Sequence, residues 1–391
     1  MNIDQRESIE IITEYWSKQK PYDLKSKNIF VGDVHGDLNQ FLLPLVQTGV
    51  IQIVNHIHVA AKGLIPVYVP DWIEVSNEID IYYLGDYIDG GIYSRTILCM
   101  MVELSSCKNI HFVIGNHDAN VLGRYHEFEK GILNYRSLIS YWPTLQIEVS
   151  PYEKIHMWRN RVEPDFLSEY FKPLFESLWK LFTEKKLNVC YEVKLDDDTY
   201  IASHTLITGR SIQELFSGIG RKIAGDGSTR VSQAGAGKPT VEEINQKFRD
   251  SDDKYIMANR LLYNRMERDL YFQNNIIGHT PGGDFRSKNI NPVPSQQTNE
   301  RREHCKPTFI NKNIVFYFDV KASCGYDLDN VSRPDYFYYV NKTAEQKHGI
   351  FSVSNANALR MYYQPELNTL ILDEYNGKNK TDGVSRIYPP K

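Results

Sequence analysis

The chain has 391 residues, 41% of them hydrophobic and 24% charged, with a formal net charge of −4. That length can bury a sizeable core and those fractions suit a globular protein, while the mild acidity argues against general affinity for nucleic acid or other polyanions. Five scattered cysteines (Cys99, Cys107, Cys190, Cys305 and Cys324) show no metal-ligand spacing and make no even disulfide framework, so reduced thiols in a cytoplasmic compartment are expected.

In chain order, residues 1–20 read as an amphipathic helix, because Ile9, Ile12 and Trp16 recur at helical spacing. Asp4, Glu7, Glu10 and Glu14 leave no apolar stretch there, so no signal peptide is expected, and no run in the chain is long enough to span a bilayer. Asn28-Ile29-Phe30-Val31 reads as a buried strand that runs into Gly32-Asp33-Val34-His35-Gly36-Asp37. Residues 50–78 hold two further strand-like runs, at 50–54 and 65–69, which look like an inserted pair. The run at 79–84 leads into Gly85-Asp86-Tyr87-Ile88-Asp89-Gly90, and the run at 110–114 leads into Gly115-Asn116-His117-Asp118. Three strand ends thus deliver oxygen and nitrogen donors to one edge of a sheet, a place where α/β proteins bind ligands.

A second, larger insertion spans 121–186 and is rich in aromatics. Phe166, Tyr170, Leu174 and Leu178 share one helical face, with Phe171, Phe175 and Phe182 beside it. Glu169, Glu176 and Lys180 argue against a membrane helix, leaving a packed cap or core helix, or a partner-protein surface. Runs at 188–194 and 199–202 flank Asp196-Asp197-Asp198 as a hairpin with a polar turn, and the second leads into Ser203-His204. Segments 222–240 and 282–308 are dense in Gly, Ser, Pro and polar residues and read as mobile loops. Gly235-Ala236-Gly237-Lys238-Pro239 imitates a phosphate-binding P-loop, but Pro239 stands where Ser or Thr should ligate magnesium and no strand precedes it. Asn275-Ile276-Ile277 leads into Gly278-His279-Thr280. Further strands are expected at 313–320, 360–363 and 369–372, and a loose tail at 377–391.

Taken singly, these residues have bland explanations. A histidine after a strand usually packs or caps, and Asp or Asn after Gly commonly forms turns through its own hydrogen bonds. His56, His58, His111, His126, His156, His304 and His348 have no motif around them and read as structural or exposed.

Five ordered blocks after five strands are a different matter. They resemble the calcineurin-like metallophosphoesterases, whose signature runs GDxHG, GDxxDRG, GNH(E/D) and two later histidines, and most nearly the branch of the phosphoprotein phosphatases and diadenosine tetraphosphate hydrolases. The resemblance covers residues 28–280. It implies an α/β fold, a four-layer β-sandwich flanked by helices with inserted cap elements, in a single domain over 1–376. It also implies two divalent metal ions, with Asp33 and His35 holding the first, Asp86 bridging, and Asn116, His204 and His279 holding the second. Mixed carboxylate, imidazole and amide donors suit Mn²⁺ first, with Fe, Zn or Mg as alternatives. In the family's mechanism His117 is the general acid, oriented by Asp89, and a metal-activated water attacks the phosphorus. Asp118 and Asp37 are expected to hold turns behind the ligands.

One departure stands out. The family's second block ends Asp-Arg-Gly, and that arginine clamps the phosphate; here Gly90 and Gly91 follow Asp89, and Asn120 occupies another position where the protein phosphatases carry arginine. Arg124 and Arg95, ahead of Arg210 and Arg286, are candidate replacements. Asp118 and the His279-Thr280-Pro281 continuation look more like the dinucleotide hydrolase branch. The leading expectation is therefore a two-metal phosphoesterase acting on a nucleotide or other small phosphoester. A protein Ser/Thr phosphatase and a catalytically weakened metal-binding scaffold are the alternatives. Frequent Asn, Ile, Lys and Tyr suggest an AT-rich genome, that of a protist or of a virus whose enzyme works in the host cytoplasm.

Overall fold

Alternation within very short strands decides how the layers stack. In the computed structural model, which describes residues 5–21, 28–62, 66–89, 93–134, 164–195, 198–217, 238–251, 270–279, 308–310, 313–317, 350–352, 358–364, 369–375 and 384–388, strand β1 (Asn28–Val31) turns Ile29 and Val31 to one side and Phe30 to the other. Strand β4 (Asp80–Tyr83) does the same with Ile81 and Tyr83 against Tyr82, and β5 (Ile110–Val113) with Phe112 against Val113. Both faces are apolar, as a parallel sheet covered on both sides requires.

The first sheet has the order β12-β1-β4-β5-β6, where β6 is Leu187–Asn188 and β12 is Ile350–Ser352, and every neighbouring pair is parallel. Its outer face belongs to a core shared with three helices: α2 (Leu38–Gln47) through Leu38, Phe41 and Leu45, α3 (Ser94–Leu104) through Ile97 and Met100, and α4 (Asn116–Glu129) through Val121 and Leu122. Its inner face packs Phe30, Tyr82, Leu84 and Val113 against Val193, Tyr200, Ala202 and Ile276 of the second sheet. That sheet runs β10-β11-β9-β8-β7, with β7 Cys190–Leu195, β8 Asp198–Ser203, β9 Asn274–Ile277, β10 Thr308–Ile310 and β11 Asn313–Tyr317. Its two outer pairs are antiparallel, while β8, β9 and β11 run parallel. Ile201, on the other face of β8 from Tyr200 and Ala202, joins the helix-side core with Leu215 of α6 (Gly209–Ser217) and Ile244 and Phe248 of α7 (Val241–Asp250). The result is the expected α/β arrangement of sheets face to face with helices outside.

Helix α1 (Gln5–Ser17) buries Ile9, Ile12 and Trp16, the face read from the sequence, and Trp16 Nε1 donates to Asn39 Oδ1 at 3.0 Å. The pair expected at 50–78 is an antiparallel hairpin, β2 (Ile51–Ala61) with β3 (Val67–Glu74), packed against α1 and α3. The aromatic stretch forms helix α5 (Pro164–Thr183), which buries Phe171, Leu174, Phe175, Leu178, Leu181 and Phe182 against α3 and α4. It is thus a packed helix over these residues; the side chains of Phe166 and Tyr170 lie outside the described residues. None of the described helices is long and apolar enough to cross a membrane.

The loops expected at 222–240 and 282–308 fall outside the described residues over 222–237 and 282–307, as do Gly90, Gly91 and the P-loop look-alike up to Gly237. The C-terminal expectation is corrected. Within 377–391, Val384–Tyr388 forms a strand, β15, that pairs antiparallel with β14 (Thr369–Tyr375), itself paired with β13 (Ala358–Gln364). Five residues give too short an alternation to signal a strand; the partner β14 supplies the backbone hydrogen bonds.

Phe30 is fully buried between the sheets. Phe30→Ala should cost about 3–5 kcal/mol in urea unfolding, through lost transfer energy and the cavity left behind. A loss under about 1 kcal/mol would show that the two sheets do not pack through this residue.

Candidate metal centre

Because β1, β4 and β5 are parallel neighbours, their C-terminal ends open on one edge, and β8 and β9 end in loops at the same place. Two hydrogen bonds tie the sheets together there. His204, after β8, places Nδ1 2.7 Å from the Leu84 carbonyl after β4, and the His279 N–H, after β9, donates to Asp33 Oδ1 at 2.9 Å.

The backbone at these ends is held in uncommon conformations. Of five non-glycine residues with positive φ among the described residues, four lie here: His35 at 45°, Asp86 at 52°, Asp89 at 69° and His279 at 54°. Non-glycine residues adopt that region only where the surroundings over-determine it, commonly at functional sites. Glycine is required beside them for space. A Cβ on Gly115 would lie 2.1 Å from Asp86 N and Oδ1, and one on Gly85 would lie 2.7 Å from Gly115 Cα and His204 Nδ1.

The hydrogen bonds then assign the imidazole tautomers. His35 directs Nδ1 at the carbonyls of Ile88 (3.2 Å) and Asp89 (3.0 Å), His117 directs Nδ1 at Asp89 Oδ2 (2.6 Å), and His204 directs Nδ1 at Leu84 O. Each ring therefore donates from Nδ1 and turns Nε2 inward. All three Nε2 atoms face one oxygen, Asp86 Oδ2, at 3.7 Å from His35, 3.9 Å from His117 and 3.3 Å from His204. Asp86 Oδ1 is committed elsewhere, accepting from the His117 N–H at 2.9 Å. Asn116 Oδ1 and His279 Nδ1 approach His204 Nε2 at 2.9 and 3.1 Å.

This crowding of lone pairs in a buried place fits divalent cations. The donors fall into two sets within metal-binding reach, Asp33, Asp86, His204 and His279 in one, and His35, Asp86 and His117 in the other, and the two meet at Asp86. The family resemblance divides them differently, with Asp33 beside His35. Asp33 Oδ2 is buried, lies 3.7 Å from His35 Nε2, and has no hydrogen bond among the described residues. Together the two sets hold four imidazoles and two carboxylates, with the Asn116 amide oxygen beside them, donors suited to Mn, Fe or Zn.

In the protein alone, protons relieve the same crowding. Burial by itself would lower the His117 pKa, but the charge of Asp86 and the hydrogen bond to Asp89 raise it to about 10. For His204 burial likewise opposes Asp86 and Asp33, which win and raise it to about 9. Asp86 is held well below the usual carboxylate range: burial pushes it up, and the imidazoles of His204, His117 and His35 outweigh that.

Residues 27–216 match the family model of calcineurin-like phosphoesterases. The match spans just under half of the chain, takes in the blocks from Asp33 to His204, and stops before His279. No curated protein matches the chain significantly. Among solved structures, similarity is recorded to a point mutant of a cold-active protein tyrosine phosphatase, at 14% identity and TM-score 0.38 over 95% of this chain and 83% of that one. A second structure of cold-active protein tyrosine phosphatase gives 16% identity and TM-score 0.38, over 95% and 82%. A protein serine/threonine phosphatase from Saccharomyces cerevisiae gives 10% identity and TM-score 0.27, over 98% and 89%.

Behind the donors, Asp118 links the segments that follow β4 and β5. Its oxygens accept from the Tyr87 N–H at 3.0 Å and the Gly115 N–H at 2.9 Å, while burial and the charge of Asp86 push its carboxyl up to about 7. Asp37 caps α2, accepting from Asn39 and Gln40 N–H groups. The arginines are less central. Arg124 pairs with Glu127 at 2.8 Å along α4, Arg95 is buried in the first turn of α3, and Arg210 pairs with Glu214 on α6. Arg286 lies outside the described residues. The orienting carbonyls of Leu84 and Ile88 were not foreseen, since a backbone acceptor leaves no mark in residue identity.

A divalent ion held by His204 must displace the proton on that ring. Its folded pKa lies above the ordinary imidazole value, so Mn²⁺ affinity should rise as pH goes from 6.5 to 9 and binding should release a proton, measured calorimetrically in buffers of different ionisation enthalpy. Binding without proton release would show that His204 is not a ligand.

Proposed function

We propose that this protein is a two-metal phosphoesterase, acting on a nucleotide or another small phosphoester with Mn²⁺ as the preferred ion. The observation that carries the reading is Asp86: one buried carboxylate oxygen, faced by three imidazole nitrogens and common to both donor sets. The match of residues 27–216 to calcineurin-like phosphoesterases supports the same chemistry.

Asp33, His35, Asp86, Asn116, His204 and His279 would hold two divalent ions, whose chemistry when bound would be to neutralise phosphoryl charge and acidify a water. The rest falls to the chain's own groups. His117 is one-third exposed, so its Nε2 can reach a substrate, and its raised pKa keeps it protonated at neutral pH. It delivers that proton to the leaving oxygen. Asp89, bonded to Nδ1, fixes the ring and favours its charged form before transfer. Asp118 and the Thr280-Pro281 continuation support a small phosphoester over a phosphoprotein.

Hydrolysis of para-nitrophenyl phosphate and its bis-ester, with and without Mn²⁺, tests this directly. Wild type should be active only with the ion, and Asp86→Asn and His117→Asn should each lower kcat by about 10²-fold or more. Ion-independent turnover, or full activity in either variant, would contradict the reading.

A further inference from the structure

A second cluster of imidazoles and carboxylates lies on and beside the hairpin, away from the centre just described. Strand β2 is irregular: Ile53 pairs with Trp72 and Ile57 with Pro70, so Val54, Asn55 and His56 together oppose Asp71. Such bulges re-aim side chains that a regular strand would direct elsewhere. Here His56 and His58 converge on one carboxylate, His56 Nδ1 contacting Asp71 Oδ2 and His58 Nδ1 contacting Asp71 Oδ1. The other nitrogen of His58 faces Glu103 Oε1 of α3 at 2.9 Å, and the second oxygen of Glu103 accepts from Trp72 Nε1 at 3.3 Å.

We propose that His56, His58 and Asp71 bind a Zn²⁺ ion, with Glu103 orienting His58 from behind. Two imidazoles and a carboxylate are a donor set that zinc takes with water in the fourth position. A ligating histidine characteristically gives its other N–H to a carboxylate, which fixes the tautomer and strengthens the ligand. Glu103 stands in that place, and Trp72 fixes Glu103 in turn. The two ring nitrogens rest on different oxygens of Asp71, so binding requires one ring to swing toward the other. His56, whose side chain is 68% exposed, is free of packing on most of its surface and makes that movement. The charge balances: the two carboxylates, Asp71 and Glu103, offset the two positive charges of the ion. Bound zinc would fasten the hairpin to α3. Glu103 sits nine residues along α3 from Ser94, about 14 Å at 1.5 Å per residue, which separates this site from the loops of the catalytic centre.

The test is equilibrium dialysis of the full chain against Zn²⁺ alone, with bound zinc counted by elemental analysis. Wild type should bind one equivalent more than His56→Ala/His58→Ala, while both hydrolyse para-nitrophenyl phosphate equally with Mn²⁺. Should the double variant fold poorly, His56→Ala alone removes only an exposed side chain and should lose the same equivalent. Glu103→Gln should keep the equivalent but weaken its affinity by about 10- to 100-fold. Equal zinc content and affinity in wild type and His56→Ala would overturn the proposal, leaving these contacts as ion pairs only.

Discussion

Asp86 is 1% exposed, and three imidazoles face its charge. A carboxylate buried this deeply is costly unless a cation and hydrogen bonds compensate it. One oxygen is satisfied by the His117 N–H; the other is left to three Nε2 atoms, each ring pinned from behind through Nδ1. Everything at this edge of the fold serves to hold that second oxygen where it is. The positive φ of Asp86, the glycine before it, the close approach of Gly115 and the bridging carboxylate of Asp118 are all conditions for its position.

The sandwich supplies what one sheet alone lacks. The first sheet brings Asp33, Asp86 and Asn116 to adjacent strand ends, and only the second brings His204 and His279. The packing of Phe30, Tyr82, Leu84 and Val113 on Val193, Tyr200, Ala202 and Ile276 therefore sets the distance between two halves of a donor set. The bond from His204 to Leu84 O and the bond from the His279 N–H to Asp33 fix that distance at the site itself. Four strained backbone positions persist because both sheets constrain them.

The donors that cluster here stood out in the sequence because four of the five blocks couple glycine and a donor to an apolar run, while His204 follows its run behind Ser203 without a glycine. The face of α1 was legible for the same reason, since Ile9, Ile12 and Trp16 keep a helical period. Sheet order was not, nor was the Leu84 carbonyl as a partner of His204, 120 positions away. Helix α7 went unforeseen inside a polar stretch, although Thr240 and Glu243 spell its capping box, with Glu243 N donating to Thr240 Oγ1 at 3.2 Å. His56 and His58 read as motif-free because their partners, Asp71 and Glu103, lie 13 to 45 positions from them. Strand β15 owed its existence to a partner rather than to its own five residues.

The sharing of Asp86 is the central claim, and electron paramagnetic resonance of the protein loaded with two equivalents of Mn²⁺ tests it most directly. Two ions joined through one carboxylate should give a spin-coupled spectrum, and Asp86→Ala should reduce it to that of isolated Mn²⁺. Two uncoupled ions in wild type, or a coupled pair that survives Asp86→Ala, would contradict the account.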